Sequence, residues 1–385
     1  MMITKQFLNL QKRIRSSNLM HLKCISSVVP TKFVLDNLNN KKLKVIDCSL
    51  PKYSEQDFDF WNLKFLFKKN GENVVTGRDS FNLNRIPGSF YFDLEKLCFL
   101  KNDEDKNFRN NLAIPFALPN LQDFKKFFFE NVDLQQLNLC KDDHVIVYDN
   151  SHNFQPSAYI FWMFKYFGHD KISVLDGGFN KWQYENNPVD KGEGIVKGGI
   201  NHRNEENINS NLRDLHEGRA DKGYYFLKRE VDEAQIFVDF ETLLMHLQDF
   251  VYKDRFVMVD CRTKESLEEE GYIPGSINLP LNYFLDEYFN PDSSTVKFSI
   301  FSQDLKKLDL ILRNVDFTRK IVLIGDDCID ASVLQLAFSH YFKLKKSQNE
   351  PSSRHIKHFD EKNLLIYEGG MQEWFGEKRK ILKYS

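Results

Sequence analysis

Two stretches decide the fold: Asp176-Gly177-Gly178-Phe179-Asn180-Lys181-Trp182 and, near the other end of the chain, Glu368-Gly369-Gly370-Met371-Gln372-Glu373-Trp374. The second stretch repeats the acid, the paired glycines and the tryptophan of the first at the same spacing. Three further pairs precede them in the same order, and these are Val45–Cys48 with Val259–Cys261, Arg85–Ser89 with Tyr272–Ser276, and Val145–Asp149 with Ile321–Asp326. Four matched pairs in one order predict two copies of a single domain.

Each copy shows the pattern of alternating strands and helices. Short apolar runs rich in β-branched residues are typical of central parallel strands that are covered on both faces. The runs are Lys44–Asp47, Val145–Tyr148, Val257–Asp260 and Ile321–Ile324. Ser157–Phe167 is apolar almost all round and stops at Gly168, which predicts a buried helix, and Ala331–Phe342 is its counterpart. The fold class is therefore α/β, with a small parallel sheet flanked by helices in each copy.

Length and composition agree with two soluble-type domains. The chain has 385 residues, 42% of them hydrophobic, and a net charge of −2. That balance gives no global electrostatic reason to bind nucleic acid, and no run of 18 apolar residues suggests a membrane span. We place the first domain at 40–190, a polar linker at 191–232 and the second domain at 233–385.

The first 35 residues have the composition of a targeting sequence. No acidic residue precedes Asp36, whereas this stretch carries six lysines and arginines together with several serines. Wound as a helix, Phe7, Leu10 and Ile14 form one apolar stripe. A basic, acid-free amphipathic start is the signature of a mitochondrial transit peptide, and it predicts a location in the matrix. A disordered basic tail is the alternative.

The repeated motifs resemble the tandem rhodanese family, which includes thiosulfate sulfurtransferase and 3-mercaptopyruvate sulfurtransferase. The family has an aspartate at a strand end, an I-P-G-S/A loop, a strand leading into an active-site loop, and a late D-G-G-x-x-x-W. This chain has each of them twice, with Glu368 in place of the second late aspartate. The resemblance implies two rhodanese-like domains, of which only the second would hold the active-site cysteine. That cysteine would carry sulfane sulfur as a persulfide, without a cofactor.

The second-domain loop departs from the family pattern C-x-x-G-V-T-A. The candidate loop consists of Gly325, Asp326, Asp327, Cys328, Ile329, Asp330 and Ala331. An alignment without gaps places Gly325 at the family's nucleophile, Cys328 at its glycine and Asp330 at its threonine. A slip of three residues would restore the cysteine, but it would shorten the turn into the helix. Asp330 directly precedes Ala331, where we expect the helix to begin, so we interpret it as the N-cap.

Charge in this loop opposes the usual chemistry. Thiosulfate and mercaptopyruvate are anions, yet Asp326, Asp327 and Asp330 are acidic and no lysine or arginine lies between residues 321 and 342. A like-charge contact at about 4 Å costs on the order of 4 kcal/mol before screening at an effective dielectric near 20. Arg262 is the candidate cation on the substrate side, although it can instead form an internal salt bridge. Thiosulfate-using relatives often carry a second arginine where this chain has Ser266.

Two functional hypotheses remain open from the sequence. The first is a catalytically impaired protein that acts as a binding or structural component of a mitochondrial assembly. The second is an active sulfurtransferase that carries sulfur on Cys328 and takes a small sulfur-donor anion. We expect no metal site, because no convergent ligands accompany the aspartates. A phosphatase loop is excluded by the lack of an arginine at the required spacing after Cys328.

Overall fold

The computed structural model describes residues 26–50, 76–99, 116, 118–192, 237–248, 256–289, 295–347 and 359–376. The basic start of the chain up to residue 25 and nearly all of the expected linker therefore lie outside the described residues.

The described part of the first domain is a five-stranded parallel sheet with helices around it. Its strands are β1 (Val28–Val29), β2 (Leu43–Asp47), β3 (Phe90–Tyr91), β4 (His144–Tyr148) and β5 (Ile172–Leu175). Its helices are α1 (Thr31–Asn37), α2 (Gly77–Leu83), α3 (Leu94–Phe99), α4 (Leu121–Glu130), α5 (Val132–Leu137), α6 (Gln155–Tyr166) and α7 (Gly178–Tyr184).

The second domain repeats this plan. Its strands are β6 (Phe237–Val238), β7 (Phe256–Asp260), β8 (Ile277–Asn278), β9 (Leu285–Phe289), β10 (Val296–Phe301), β11 (Lys320–Ile324) and β12 (Leu364–Tyr367). Its helices are α8 (Phe240–Gln248), α9 (Lys264–Glu270), α10 (Leu305–Leu312) and α11 (Cys328–Ser347), and a further helical segment covers 370–376. Strands β9 and β10 form a separate antiparallel pair that has no counterpart in the described residues of the first domain.

The two main sheets have the same topology. The strand order is β1-β5-β4-β2-β3 in the first and β6-β12-β11-β7-β8 in the second, and every pairing within them is parallel. The four apolar runs form the central strands β2, β4, β7 and β11, each within one residue of its predicted start. The α/β prediction with two tandem domains is thus confirmed.

The first domain begins earlier than the sequence suggested. Strand β1 at Val28–Val29 pairs with β5, and α1 follows at Thr31–Asn37. Both elements precede residue 40, where we had placed the boundary, and they overlap the last part of the 35-residue leader. Val28, Val29 and Val34 are buried in the domain, so these residues are part of its packed core.

Helices α6 and α11 pack against each other between the two sheets and form the centre of the domain interface. Helix α6 has Pro156 in its first turn and is followed by Gly168 with φ +97°, which suits its start and its end. It is buried almost all round, as predicted, and Trp162 contacts Phe237 of the second domain with ring centroids 5.2 Å apart. Each fully buried large apolar side chain contributes about 1.5–3 kcal/mol, so the interface is a continuous core.

Among the helices of the described residues, none has both the length and the apolar character needed to span a bilayer.

Candidate active site

The candidate loop lies where parallel α/β sheets bind their ligands. It follows the carboxyl end of β11, next to the end of β7, and leads directly into α11. Gln155, the first residue of α6 in the other domain, donates from its side-chain amide to the Asp330 carboxylate. The loop is therefore closed on one side by the first domain, 175 positions away in the chain.

Helix α11 begins at Cys328, three residues before the predicted start at Ala331. Its N-cap is Asp327, whose Oδ1 accepts hydrogen bonds from the backbone N–H groups of Ile329 at 2.9 Å and Asp330 at 3.4 Å. The expectation that Asp330 is the cap was wrong, because an aspartate caps by bonding the amides two and three residues ahead of it. Asp330 lies inside the first turn, and its carboxylate instead accepts the hydrogen bond from the Gln155 side chain.

Gly325, which the ungapped alignment predicts to stand at the family's nucleophile position, has no room for a side chain. A Cβ added there would lie 2.7 Å from the Asp330 Cβ, 2.8 Å from the Asp327 carbonyl oxygen and 3.1 Å from the Ala331 backbone nitrogen. Side-chain carbons do not approach other atoms this closely, so any larger residue would require the loop to move. The centre of the loop is filled by its own atoms.

The Asp330 carboxylate accepts hydrogen bonds from donors around the loop. Burial raises the pKa of Asp330, while hydrogen bonds from the Gln155 side chain and the Asp326 backbone act in the opposite direction. Those two donors favour the charged form of a carboxylate in the same way as they would favour a bound anion. The loop thus supplies its own carboxylate to donors that could otherwise serve a substrate.

The other two aspartates share this crowded environment. Burial, followed by the charge of Asp330, raises the pKa of Asp326 to about 6, and Arg262 acts against this rise. Burial and the neighbouring charge of Asp330 also raise the pKa of Asp327 well above its usual range. Three carboxyl groups in one loop therefore retain protons at higher pH than exposed aspartates do, and they repel anions at the pH values where they are ionised.

Cys328 is buried at the first position of α11 and belongs to the apolar core cluster. Cys261, which follows β7, is buried as well, and burial together with the charge of Asp330 raises the pKa of its thiol. A raised pKa keeps a thiol protonated and unreactive, because the thiolate is the nucleophile. Cys48, at the equivalent position of the first domain, is buried too and donates to the Tyr148 carbonyl.

Arg262 is engaged within its own domain. Its guanidinium bonds the Asp260 carboxylate through Nε at 3.2 Å and Nη2 at 2.9 Å, and Nη1 donates to Glu270 at 3.1 Å. Nη2 also donates to the Gly271 carbonyl at 2.8 Å. The side chain is only 1% exposed, and its Nη1 lies 3.8 Å from Asp326. Of the two roles left open in the sequence, the geometry favours the internal salt bridge over a substrate contact.

The corresponding loop of the first domain is also occupied by a carboxylate. Asp149 follows β4 and is buried, and its Oδ1 accepts bonds from the backbone and hydroxyl of Ser151 at 2.7 and 2.6 Å. Its Oδ2 accepts a bond from the Ser157 backbone at 2.9 Å. Both loops therefore direct their backbone donors at an acid of the chain itself.

The structure brings together all seven loop residues of the sequence-based prediction and places Arg262 beside them. Gln155 was missed, and no sequence signal could have found it, because its role depends on how the domains pack. Among the described residues, no group of three or more acidic, histidine or cysteine side chains could hold a metal ion.

A comparison with known protein families matches the rhodanese-like domain to residues 31–185 and again to residues 244–377. Among curated proteins, the 3-mercaptopyruvate sulfurtransferase of Mus musculus is 27% identical over 239 residues, which cover 61% of this chain and 67% of that protein. A probable 3-mercaptopyruvate sulfurtransferase of Schizosaccharomyces pombe is 24% identical and covers 90% of this chain and 98% of its own length.

Solved structures share the fold over about nine tenths of this chain. The 3-mercaptopyruvate sulfurtransferase SseA of Escherichia coli has a TM-score of 0.53 at 18% identity and covers 90% of this chain and 99% of its own. The sub-stoichiometric sulfur transferase subunit of yeast mitochondrial complex I has a TM-score of 0.57 at 17% identity, with 91% and 96% covered.

Proposed function

Since this chain belongs to the rhodanese-like domain family, we propose that it is a mitochondrial member that has lost ordinary sulfurtransfer. It acts as a binding or structural component of a larger assembly. One observation carries the proposal: the position of the family's sulfur-carrying cysteine is Gly325, where even a Cβ would meet atoms at 2.7–3.1 Å. The scaffold is retained, whereas the space for the sulfur carrier is not.

The chemistry of sulfurtransfer supports this proposal. A thiolate has to attack the sulfane sulfur of an anionic donor, and neighbouring amides and cations have to stabilise the negative charge. Here Asp330 takes the available donors and Arg262 is bonded to Asp260 and Glu270. The one cysteine of the loop, Cys328, is buried in the core. The reaction needs an accessible thiolate and free donors, whereas here the thiol is buried and the donors are already bonded to carboxylates of the chain.

Two further observations support the location and the role. The basic, acid-free start of the chain has the composition of a mitochondrial transit peptide. A solved relative by fold is a sulfur transferase subunit of yeast mitochondrial complex I. A rhodanese-fold protein can thus be part of a mitochondrial assembly, and we propose a protein partner of that kind for this chain. The proposed role requires neither a cofactor nor nucleic acid.

A sulfurtransfer assay with thiosulfate and with mercaptopyruvate tests the loss of catalysis. We expect turnover at the level of a Cys328→Ser control with both donors. Turnover well above that level, abolished by Cys328→Ser, would overturn the proposal. Purification of the tagged protein from mitochondria, followed by sizing of the native complex, tests the second part. Migration as the free chain would exclude a stable assembly.

One observation favours an active enzyme as the alternative function. Cys328 is the first residue of the 20-residue helix α11, and the positive end of a helix dipole favours negative charge at that position. In this case Cys328 would carry the persulfide once the loop opens. Intact-mass analysis after incubation with mercaptopyruvate would then show the mass of one added sulfur atom, located on the Cys328 peptide.

A further inference from the structure

The acid-Gly-Gly motifs, which showed the repeat in the sequence, also make contacts on which the proposed function does not depend. In each domain the residue after the second glycine bonds the first residue of the domain's own loop. The backbone N–H of Met371 donates to the Gly325 carbonyl at 3.0 Å, and that of Phe179 donates to the Asp149 carbonyl at 2.8 Å. Each motif is therefore hydrogen-bonded to the first residue of the adjacent loop.

The second glycine of each motif makes this contact possible. Gly178 and Gly370 have φ values of +55° and +56°, a conformation that side chains rarely adopt. A Cβ at Gly370 would lie 2.3 Å from the Asp326 carbonyl oxygen, and one at Gly178 would lie 2.6 Å from the Asp149 carbonyl oxygen. The motif is pressed directly against the loop, so a shift of one requires a shift of the other.

The acid of each motif reaches in the opposite direction, into the other domain. Asp176 Oδ1 accepts a hydrogen bond from the Phe301 backbone N–H at 3.0 Å, and Glu368 Oε1 accepts one from the Leu118 backbone N–H at 3.1 Å. Phe301 lies just before α10, and Leu118 lies just before the equivalent helix α4. The two contacts are thus reciprocal, and each domain gives one acid and receives one.

We propose that Glu368 and Asp176 are positioning residues that make the conformation of each domain's loop depend on its contact with the other domain. Glu368 links the candidate loop at Gly325 to the first domain through Gly370 and Met371. Asp176 links the Asp149 loop to the second domain in the same way. The two hydrogen bonds, from Leu118 to Glu368 and from Phe301 to Asp176, form a reciprocal contact across the domain interface, which we call the clasp. It operates whether or not the loop at Gly325 transfers sulfur.

The two copies use different acids for the same kind of contact. Asp176 is 7% exposed and also lies 3.5 Å from Lys181 of its own domain. Glu368 is half-buried and reaches Leu118 with a side chain that is one methylene longer. Both side chains accept from a backbone N–H, so the contact depends on the side-chain acceptor oxygen and not on the identity of the partner residue.

Hydrogen–deuterium exchange on the full chain tests the clasp through Glu368→Ala. The readouts are the Leu118 amide, the Met371 amide and the amides of residues 326–331. A hydrogen bond between a carboxylate and a backbone N–H, once lost, corresponds to a change in local opening of about ten- to a hundredfold. We expect exchange to accelerate by that factor at Leu118 and also in the loop.

Two variants separate positioning from a general weakening of the interface. Glu361→Gln removes a different interdomain ion pair, that with Lys165, and it should leave the loop amides unchanged. Glu368→Gln keeps an acceptor oxygen and should restore most of the protection. Faster exchange at Leu118 with an unchanged loop in Glu368→Ala would overturn the proposal, as would equal acceleration of the loop in Glu361→Gln.

The reciprocal contact gives an independent test in case Glu368→Ala does not fold. Asp176→Ala should accelerate exchange at the Phe301 amide and in residues 150–155, and Asp176→Asn should restore protection. If residues 150–155 keep wild-type exchange while Phe301 loses protection, the motif does not couple the interface to the loop.

Discussion

Substitution of Gly325 by cysteine puts the family's nucleophile back at its aligned position and tests why the loop is closed. The backbone of Gly325 is not left-handed, so the cost of a side chain is steric. With the Asp330 Cβ at 2.7 Å and the Asp327 carbonyl oxygen at 2.8 Å, the new Cβ overpacks the loop. Overpacking of this kind typically costs about 1–3 kcal/mol, and we expect the free energy of unfolding to fall by that amount.

Electrostatics predicts that the new thiol remains a poor sulfur carrier. A thiolate at residue 325 would share the loop with Asp330, and a like-charge pair at about 4 Å costs on the order of 4 kcal/mol before screening at an effective dielectric near 20 when the carboxylate is ionised. That energy corresponds to on the order of a thousandfold loss in the binding of an anion. Gly325→Cys alone should therefore show background turnover with thiosulfate and with mercaptopyruvate.

Two assays measure these effects with a matched control. Urea unfolding of Gly325→Ala should show the same loss of stability as Gly325→Cys, because both add the same Cβ. Gly325→Cys/Asp330→Gly removes the nearest contact and the carboxylate, and it should regain stability. In a Cys328→Ser background, its thiol should react faster with iodoacetate, an anion, than the thiol of the single variant does. Wild-type stability of Gly325→Cys would refute the steric reasoning, and clear turnover by this variant would refute the electrostatic reasoning.

Three other predictions follow from buried groups. Arg262→Met leaves Asp260 buried without its partner and should lower the free energy of unfolding in urea by about 3–5 kcal/mol. The added change Asp260→Asn should recover part of that loss, whereas a loss below about 1 kcal/mol for Arg262→Met would show that the pair is not needed for stability. His340 is 4% exposed and burial lowers its pKa to about 4, below the unfolded value near 6.5, so its contribution is present above pH 6.5 and is lost as the pH falls toward 4. Between those pH values the wild type should lose about 2–3 kcal/mol more of its free energy of unfolding than His340→Gln does, as measured by chemical unfolding. Carboxyl groups with raised pKa act in the opposite direction, but they are common to both proteins and cancel in this difference. An equal pH dependence of stability in the two proteins would contradict a lowered pKa for His340. Iodoacetamide should label the exposed Cys140 at least about a hundredfold faster than the buried Cys328 in the native protein, as measured by peptide mass spectrometry, and similar rates would show that the loop opens readily.

The parts of the fold that were predictable depend on local and repeated signals. The central strands are apolar on both faces because helices cover them, so runs such as Ile321–Ile324 stand out in the sequence. The stop of α6 at Gly168 was predictable because a helix often ends in a left-handed residue. The two-residue strands β1 and β6 were not predicted, because their pairing partners are distant and their own length carries no periodic signal.

The candidate loop shows where local reasoning fails. The sequence predicts an aspartate as the N-cap of α11, but the loop contains three aspartates. Asp327 is the N-cap, because its carboxylate reaches the amides of Ile329 and Asp330 in the folded structure. For Arg262, sequence reasoning left two roles open, and burial against Asp260 and Glu270 favours one of them.

By itself, the sequence determined the doubled α/β architecture, since repeated motifs and apolar strands impose the same local physics wherever they occur. It also determined the acidic character of the loop and the glycine at its head. Only the tertiary structure decided that this glycine faces a filled space, that Gln155 closes the loop from the other domain, and that Asp176 and Glu368 cross the interface. These contacts join residues far apart in the chain, and their geometry is set by how two domains pack, which no local pattern encodes.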